Sequence, residues 1–172
     1  MKKKIAIAMG GYSSEYEISI KSGNLVYAHL SCEKYSVFRA LILKDEWVVL
    51  DETDRKFPID KSDFSIKIGN EKVRFDCVFN TIHGTPGEDG LFQAYLETIG
   101  VPQTACDYYQ AALTFNKRDC ISVLRGFGIP TATNYFLSKG DPIYPDKIIE
   151  TVGLPCFVKA NKAGSSFGVS KV

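Results

Sequence analysis

The stretch from Lys4 to Met9 most constrains the fold of this chain. It is a run of small and β-branched apolar residues that ends at a pair of glycines, Gly10 and Gly11. Such a run is typical of a strand that is covered on both faces, as in a parallel sheet packed between helices. The sequence therefore predicts an α/β fold in which the first strand lies inside the sheet.

A helix is predicted directly after that strand. Ser14 and Glu17 have the spacing of a capping box, so we expect the helix to begin there and to run to about Leu30. The residues expected to face the sheet are Ile18, Ser22, Leu25 and Val26.

The alternation of strands and helices continues through the first hundred residues, which predicts a mostly parallel sheet. A second helix is predicted from Asp89 to Gly100, and residues 51–63 are expected to form a surface excursion. The face of that helix is expected to consist of Leu91, Ala94, Tyr95 and Ile99. The other predicted elements are strands at 35–43, 47–50, 77–82 and 101–102, and a hairpin of residues 64–68 and 71–75.

The pattern changes after about residue 103, where we place a boundary between domains 1–103 and 104–172. The second part is predicted to contain two short helices around residues 114–117, a helix at 145–153, a strand at 135–137 and a strand at 155–159. A terminal hairpin follows from Lys159 to Val172. Because a hairpin there has no sheet to complete it, we expect the chain to be part of a longer protein.

Composition disfavours several classes of partner. The formal charge of +1 gives no reason to expect nucleic acid or an anionic membrane surface. No run approaches about 18 apolar residues, and the N-terminal strand is too short for a signal sequence. The five cysteines form no C-x-x-C pair, which favours free thiols over disulfides or zinc, buried at Cys77 and Cys156. A cytoplasmic protein is expected.

The loop from Gly10 to Glu17 follows the first strand, where ligands bind in open parallel sheets. It lacks the G-x-G-x-x-G motif, and its two carboxylates, Glu15 and Glu17, disfavour a phosphate at the helix start. Capping is the preferred role for Glu17. For Glu15 two interpretations stay open, a helix cap and a binding site for an ammonium group.

Two further loops contain candidate site residues. His83, in the loop from His83 to Gly90, pairs with a carboxylate, holds a substrate anion, or only caps or packs the loop. Lys159 precedes a loop of small residues, Gly164-Ser165-Ser166-Phe167-Gly168, which either wraps a phosphate or is an ordinary polar hairpin tip. Lys117 follows Asn116 at a predicted helix start, and a single lysine there is most often a surface residue.

Four stretches resemble one family together. They are Gly10-Gly11-x-Ser-x-Glu15-x-Glu17-x-Ser19, His83-Gly84-x-x-Gly87-Glu88-Asp89-Gly90, Lys117 before a helix, and Lys159 with Gly164-Ser165-Ser166-x-Gly168. The same stretches occur in this order in D-alanine–D-alanine ligases, the ATP-grasp enzymes of peptidoglycan synthesis. The resemblance covers all 172 residues. Two positions differ from the family pattern, with Ala160 in place of a frequent Pro and Ala163 in place of a Glu.

The resemblance implies a Rossmann-like parallel-sheet domain followed by the start of an ATP-grasp domain. It also implies roles for individual residues. Glu15 would bind the ammonium of the first D-alanine, with His83 near its carboxylate. Lys117, Lys159 and Ser166 would hold the phosphates of ATP, while Ser165 would link the loop to Glu15 as a second catalytic residue.

The implied reaction is phosphorylation of one D-alanine by ATP, followed by attack of the second D-alanine on the acyl phosphate. Family members continue beyond Val172, so the ligands of Mg²⁺ are expected there and none within this chain. The partners expected are D-alanine, ATP and a second copy of the protein in a homodimer. The 172 residues alone are expected to be inactive.

Three alternatives remain at this stage. A D-alanine–D-lactate ligase shares all of these motifs, because the loop that selects the second substrate lies beyond Val172. The chain by itself could also be a non-catalytic folding or dimerisation module. An NAD-binding domain is disfavoured by the missing G-x-G-x-x-G motif and by the lack of an acidic residue about 20 positions further on.

Overall fold

The computed structural model describes residues 2–164 and 166–172, and it separates into two compact units. Unit 1 spans residues 1–112 and unit 2 spans residues 113–172. The predicted domain boundary near residue 103 stays a prediction. No helix in the described part of the chain is long and apolar enough to cross a membrane.

Unit 1 is built on a five-stranded mixed sheet, which confirms the α/β prediction. Strand β1 (Lys3–Gly10) lies between β2 (Tyr35–Ile42) and β7 (Cys77–Asn80) and runs parallel to both. Strands β3 (Trp47–Leu50) and β4 (Lys56–Pro58) extend the sheet beyond β2 by antiparallel pairing. The spatial order is β4-β3-β2-β1-β7. The strand between β2 and β7 therefore contains the apolar run of residues 4–9.

Strand β4 lies within the stretch that was expected to be a surface excursion, so that expectation was wrong in part. Phe57 of β4 pairs with Val49 and packs against the core. Phe57 and Ile59 alternate with Lys56 and Pro58, but the run is only four residues long and contains a Pro, so the local signal for this strand is weak.

A small antiparallel hairpin and two helices complete unit 1. The hairpin consists of β5 (Ile66–Ile68) and β6 (Glu71–Val73), as predicted. Helix α1 (Tyr16–His29) connects β1 to β2, and helix α2 (Leu91–Thr98) follows β7. The strand predicted at 101–102 is reduced to a single bridge between Val78 and Gln103.

Helix α1 packs on the sheet through its small residues, which corrects the predicted face. Ser19 and Gly23 are buried, whereas Ile18 and Leu25 are 47% and 63% exposed. A Cβ atom at Gly23 would lie 2.7 Å from both Cβ and Sδ of Met9. The helix therefore approaches β1 more closely than an apolar side chain at this position would allow.

The start of α1 also differs from the prediction, because no capping box forms. Glu15 occupies the N-cap position without a side-chain cap hydrogen bond, and the helix begins at Tyr16. The Oγ atom of Ser13 instead accepts a hydrogen bond from the backbone N–H of Glu15, at 3.1 Å. The hydroxyl that organises this turn thus comes from Ser13 and not from Ser14.

The main core lies on the face of the sheet that α2 covers. Phe92 and Leu96 of α2 are buried there, while Leu91, expected on the buried face, is 61% exposed. The rings of Phe64 and Phe92 pack edge to face with Trp47 at centroid distances of 6.2 and 5.7 Å. Such pairs add to the stabilisation from buried area.

Helix α3 (Tyr108–Phe115) crosses from unit 1 into unit 2, which then contains α4 (Lys117–Gly126) and α5 (Pro145–Val152). Its hairpin consists of β8 (Phe157–Val158) and β9 (Ser170–Lys171). No strand forms at residues 135–137, which corrects that prediction. None of the described residues of unit 2 is buried, and Phe127 and Phe157 are 81% and 61% exposed. The cysteines are free, and Cys77 and Cys156 are half-buried where burial was predicted.

Candidate active site

Two loops meet at the carboxyl ends of the parallel strands of unit 1. The first, the glycine–serine loop, is the turn of residues 11–15 between β1 and α1. The second, the histidine loop, is residues 81–90 between β7 and α2. The backbone N–H of Tyr12 donates a 2.8 Å hydrogen bond to the carbonyl of Thr85, so the two loops are joined directly.

Ser19 fixes the start of α1 against the ends of β1 and β7. Its buried Oγ atom accepts a 2.8 Å hydrogen bond from the backbone N–H of Gly10. The same hydroxyl donates to the carbonyl of Thr81, at 2.9 Å. Because both partners are backbone groups at strand ends, the helix start has a defined position above the sheet.

Ser13 connects the glycine–serine loop to the histidine loop a second time. Its hydroxyl donates a 2.9 Å hydrogen bond to the backbone carbonyl of His83 while accepting one from Glu15. The position of the Glu15 backbone and that of His83 are therefore set by one side chain.

Gly84 allows the loops to approach each other. Its φ angle is +69°, and a Cβ atom there would lie 2.6 Å from Oγ of Ser13 and 3.3 Å from Oε2 of Glu15. The backbone N–H of Gly84 donates to Oε2 of Glu88, at 2.8 Å. Only glycine fits this conformation and this spacing without a shift of its neighbours.

Glu15 is the most unusual side chain of the site. It is 5% exposed, and its Oε1 atom is buried without a hydrogen-bond partner within residues 2–164 and 166–172. A buried carboxylate oxygen without a partner is costly, and a cationic donor is the group that satisfies it best. The geometry fits an ammonium group better than a helix cap.

The imidazole of His83 is half-buried, and the residue lies directly before Gly84 in the histidine loop. Its Nε2 atom lies 3.2 Å from Oγ of Ser22 on α1. Within the described part of the chain, Nδ1 has no hydrogen-bond partner. The structure thus brings the two predicted substrate-binding residues to facing loops of one site.

Two side-chain amides hold the histidine loop through one backbone carbonyl. Asn80 Nδ2 and Gln93 Nε2 both donate to the carbonyl of Gly87, at 2.9 and 2.6 Å. Sequence reasoning missed both residues, as well as Ser13. Gln93 alone carries a usable signal, because it is a polar residue beside Phe92 on the buried face of a helix.

In unit 2, Lys117 contacts the segment that leads into the small-residue loop. Its Nζ atom donates to the carbonyl of Ala163 at 2.6 Å, and Asn161 accepts from its backbone N–H at 3.3 Å. Asn116 caps α4 and accepts a 2.8 Å hydrogen bond from Asn161 Nδ2. The predicted cation and the loop are therefore neighbours.

Lys159 follows β8 and is exposed, with Nζ 5.7 Å from the ring centroid of Phe157. Ser166 is exposed at φ +60°, and the backbone N–H of Phe167 donates to the carbonyl of Gly164 at 2.9 Å. Ser165, the predicted second catalytic residue, lies outside the described residues. Lys117 Nζ contacts the segment that leads into this turn, and Lys159 precedes the turn in the sequence. Ammonium groups and loop amides are groups that can bind a polyphosphate.

No group of three or more His, Cys, Asp or Glu side chains in the described residues could hold a metal ion. The Mg²⁺ ligands expected beyond Val172 stay a prediction. A cavity of about 390 Å³ in unit 1 is lined by residues of β2, β3 and β5, among them Phe38, Val49 and Ile66. It contains none of the candidate site residues.

This α/β fold and its paired loops correspond to a known family of ligases. A profile described as the D-ala D-ala ligase N-terminus matches residues 4–106, and one described as the D-ala D-ala ligase C-terminus matches residues 123–172. The chain belongs to the D-alanine–D-alanine ligase family.

Two relatives named D-alanine–D-alanine ligase are closely similar. The protein from Christiangramia forsetii is 67% identical over 172 residues, which are 100% of this chain and 53% of the relative. The protein from Flavobacterium johnsoniae is 64% identical over 170 residues, 99% of this chain and 53% of the relative. The chain spans about half the length of the curated relatives it matches.

Solved structures show the same correspondence. D-alanyl-alanine synthetase A from Vibrio cholerae matches with a TM-score of 0.82 and 32% identity, over 99% of this chain and 52% of that one. A Bacillus anthracis D-alanine–D-alanine ligase complexed with ATP has a TM-score of 0.72 and 28% identity, over 100% of this chain and 49% of that one. A D-Ala:D-Ser ligase from Enterococcus faecalis has a TM-score of 0.73 and 28% identity, over 99% of this chain and 55% of that one.

Proposed function

We propose that this chain carries the first-substrate site and part of the nucleotide site of an ATP-dependent D-alanine–D-alanine ligase. The observation that supports this most is the buried Oε1 atom of Glu15, which lacks a partner in the described part of the chain. An amino acid supplies an ammonium for this carboxylate and a carboxylate for a neighbouring N–H donor. His83, next to Gly84, is that donor.

In the proposed reaction, Glu15 binds the ammonium of the first D-alanine and His83 lies near its carboxylate. An oxygen of that carboxylate attacks the γ-phosphorus of ATP, the bond to the β-phosphate oxygen breaks, and ADP leaves. The amine of the second D-alanine then attacks the acyl carbon. Phosphate leaves and the new amide nitrogen loses a proton, which gives the dipeptide.

The proposed role of unit 2 is to hold the phosphates. Lys117 and Lys159 neutralise the charge that is shared between the transferring and leaving groups, which is the main requirement of phosphoryl transfer. Ser166 and the loop amides contact the β- and γ-phosphates, and the family resemblance implies that Ser165 is a second catalytic residue. Support comes from the contact between Lys117 and Ala163 and from the Bacillus anthracis relative, whose structure is described as complexed with ATP.

The proposal extends to the setting of the reaction. We place the enzyme in the cytoplasm as a homodimer that supplies a peptidoglycan precursor, and we assign its Mg²⁺ to ligands beyond Val172. The second substrate is D-alanine. Because a similar structure is named a D-Ala:D-Ser ligase, D-serine and D-lactate are the competing second substrates to test.

The test compares the complete gene product that contains this chain with the 172 residues alone. The complete product is expected to release phosphate from ATP only when D-alanine is present. Lys159→Ala should abolish that release, while Lys139→Ala, at another exposed lysine of unit 2, should not change it. The 172 residues alone should show no release above a no-protein control.

Phosphate release that does not depend on D-alanine would contradict the proposed substrate. Full activity of Lys159→Ala would contradict the proposed phosphate site. Release by the 172 residues that Lys159→Ala abolishes would contradict the proposal that the rest of the nucleotide site lies elsewhere. Preferential incorporation of D-lactate or D-serine would contradict D-alanine as the second substrate and leave the rest of the proposal unchanged.

A further inference from the structure

We propose that Ser22 is a positioning residue that sets the tautomer of His83, so that Nδ1–H is the donor offered to the first substrate. This inference rests on the proposed function for the identity of that substrate. The control of the tautomer by Ser22 is a property of the chain itself.

The ring of His83 is held from two directions. Its backbone carbonyl accepts the Ser13 hydroxyl at 2.9 Å, and its Nε2 atom lies 3.2 Å from the Ser22 hydroxyl. With both the backbone and one ring nitrogen engaged, the side chain has little freedom to rotate. Nδ1 is the nitrogen that remains for a ligand.

Ser22 is itself on a rigid part of α1. Ser19, one helical turn earlier, is bonded to the ends of β1 and β7, at 2.8 and 2.9 Å. Gly23, the next residue, packs against Met9 so closely that a Cβ atom would not fit. The hydroxyl of Ser22 therefore approaches His83 from a fixed point.

The chemistry of imidazole decides what this contact does. A neutral ring has one N–H donor and one acceptor nitrogen, and a hydroxyl can pair with either. Within the described residues Nε2 is the one hydrogen-bond partner of Ser22 Oγ, so the hydroxyl proton is available to donate to it. When the Ser22 hydroxyl donates to Nε2, the proton must be on Nδ1. When the ring is charged, Nε2–H donates to Ser22 and Nδ1–H is again available.

The remaining arrangement, a neutral ring with Nε2–H donating to Ser22, would present a lone pair at Nδ1. A substrate carboxylate repels that lone pair. Glu15, Glu88 and Asp89 are the carboxylates of the two loops. Glu88 accepts from the backbone N–H of Gly84 and Asp89 accepts from that of Leu91. His83 is thus the group near Glu15 that can meet the carboxylate end of an amino acid, provided that Ser22 directs its proton.

The tautomer can be read by nitrogen NMR on the 172 residues labelled with ¹⁵N-histidine. The chain has two histidines, and His29 provides an internal reference because its Nδ1 lies 2.9 Å from the carbonyl of Leu25. At about pH 8.5, where an ordinary imidazole is neutral, His83 should give the Nδ1–H pattern. The wild-type spectrum alone decides this point, even if a variant fails to fold.

Ser22→Ala should shift His83 toward the Nε2–H tautomer, and Ser22→Thr should restore the wild-type pattern. Asn24→Ala, at an exposed position of the same helix, is the matched control and should leave the spectrum unchanged. An Nε2–H pattern in the wild type, or an unchanged pattern in Ser22→Ala, would overturn the proposal.

Kinetics of the complete gene product test the consequence for binding. Loss of one neutral hydrogen bond predicts a rise of about 3- to 10-fold in KM for the first D-alanine in Ser22→Ala. The KM for ATP and kcat should stay within about 2-fold, and Ser22→Thr should recover the wild-type value. An equal rise in both KM values would make Ser22 a purely structural residue and overturn the positioning role.

If the complete product shows no turnover that depends on D-alanine, the proposed function fails. The NMR result then still decides whether Ser22 controls the tautomer of His83, so the two failures are distinguishable.

Discussion

The hydroxyl of Ser13 donates a hydrogen bond to the backbone carbonyl of His83, 70 residues further along the chain, at 2.9 Å. The same oxygen accepts from the backbone N–H of Glu15, at 3.1 Å. One small side chain therefore joins the loop that positions the buried carboxylate to the loop that positions the imidazole. A site for an amino acid needs both at once, since ammonium and carboxylate are only a bond or two apart.

Glu15→Gln tests the proposed ammonium site in the complete gene product. A hydrogen bond to a charged group contributes roughly 1.5–3 kcal/mol, so the affinity for the first D-alanine should fall about 10- to 150-fold. The affinity for ATP should stay within a few-fold. Steady-state kinetics with each substrate varied in turn measures both effects.

Glu17→Gln is the matched control, because Glu17 is an exposed carboxylate in the first turn of the same helix. It should leave the D-alanine kinetics unchanged. If Glu15→Gln instead lowered Tm and left the D-alanine kinetics unchanged, Glu15 would be only a part of the helix start.

Gly84→Ala tests the close contact between the two loops. The substitution places a Cβ atom 2.6 Å from Oγ of Ser13 at a φ of +69°. Gly100→Ala is a matched control, since Gly100 has a φ of +70° and nothing within 4 Å of the added atom. The control should cost about 1–2 kcal/mol of the free energy of unfolding from backbone strain alone.

Gly84→Ala should cost about 1–3 kcal/mol more than that control, because Ser13 and its partners must shift. Urea unfolding of the 172 residues measures the difference. Equal losses of stability in the two variants would show that the loops tolerate the added atom.

Tyr95→Phe tests a stability change at high pH. Burial, and secondarily the charges of Asp63 and Asp60, raises the pKa of Tyr95 from 10.0 to about 12. Between about pH 10 and pH 12 the folded chain keeps this proton while the unfolded chain loses it. Stability therefore falls as the pH rises through this window.

The Tyr95→Phe variant should lack this part of the decrease in the free energy of unfolding. At neutral pH it also loses the 2.8 Å hydrogen bond from the Tyr95 hydroxyl to the carbonyl of Lys61. Tyr109→Phe, at a residue that is 61% exposed, is the control. The measurement is the midpoint of urea unfolding at about pH 8 and about pH 11. An identical fall in wild type and Tyr95→Phe would contradict the raised pKa.

Hydrogen exchange tests the difference between the two parts of the chain. Residues 104–172 are expected to exchange faster than residues 1–103, because the described residues of unit 2 include no buried side chain. The amide of Cys156 is bonded to the carbonyl of Val172 in a hairpin of two-residue strands, whereas β1 is paired on both sides. Peptide-level mass spectrometry should show slow exchange in β1 and fast exchange in β8. Uniform protection across the chain would contradict this expectation.

The sequence by itself determined the order and type of most elements. The apolar run at Lys4–Met9 forms the central strand of the sheet, and the turn at Gly69-Asn70 joins a hairpin. These features are local, because the period of apolar residues and the chemistry of a turn are properties of a few consecutive residues. The same local reasoning selected Glu15 and His83, since each follows a strand that ends in glycine-rich sequence.

Only the tertiary structure decided which residues meet. The buried face of α1 depends on how closely Gly23 can approach Met9, and β4 forms because Phe57 reaches a core built from other strands. In the sequence Ser13 is one position of a motif and Ser22 one position of a predicted helix face, neither with a role of its own. The role of each comes from one partner, His83, that is 70 or 61 residues away. Hydrogen-bond partners separated by this much chain are set by strand order and helix packing, which no short stretch of sequence encodes.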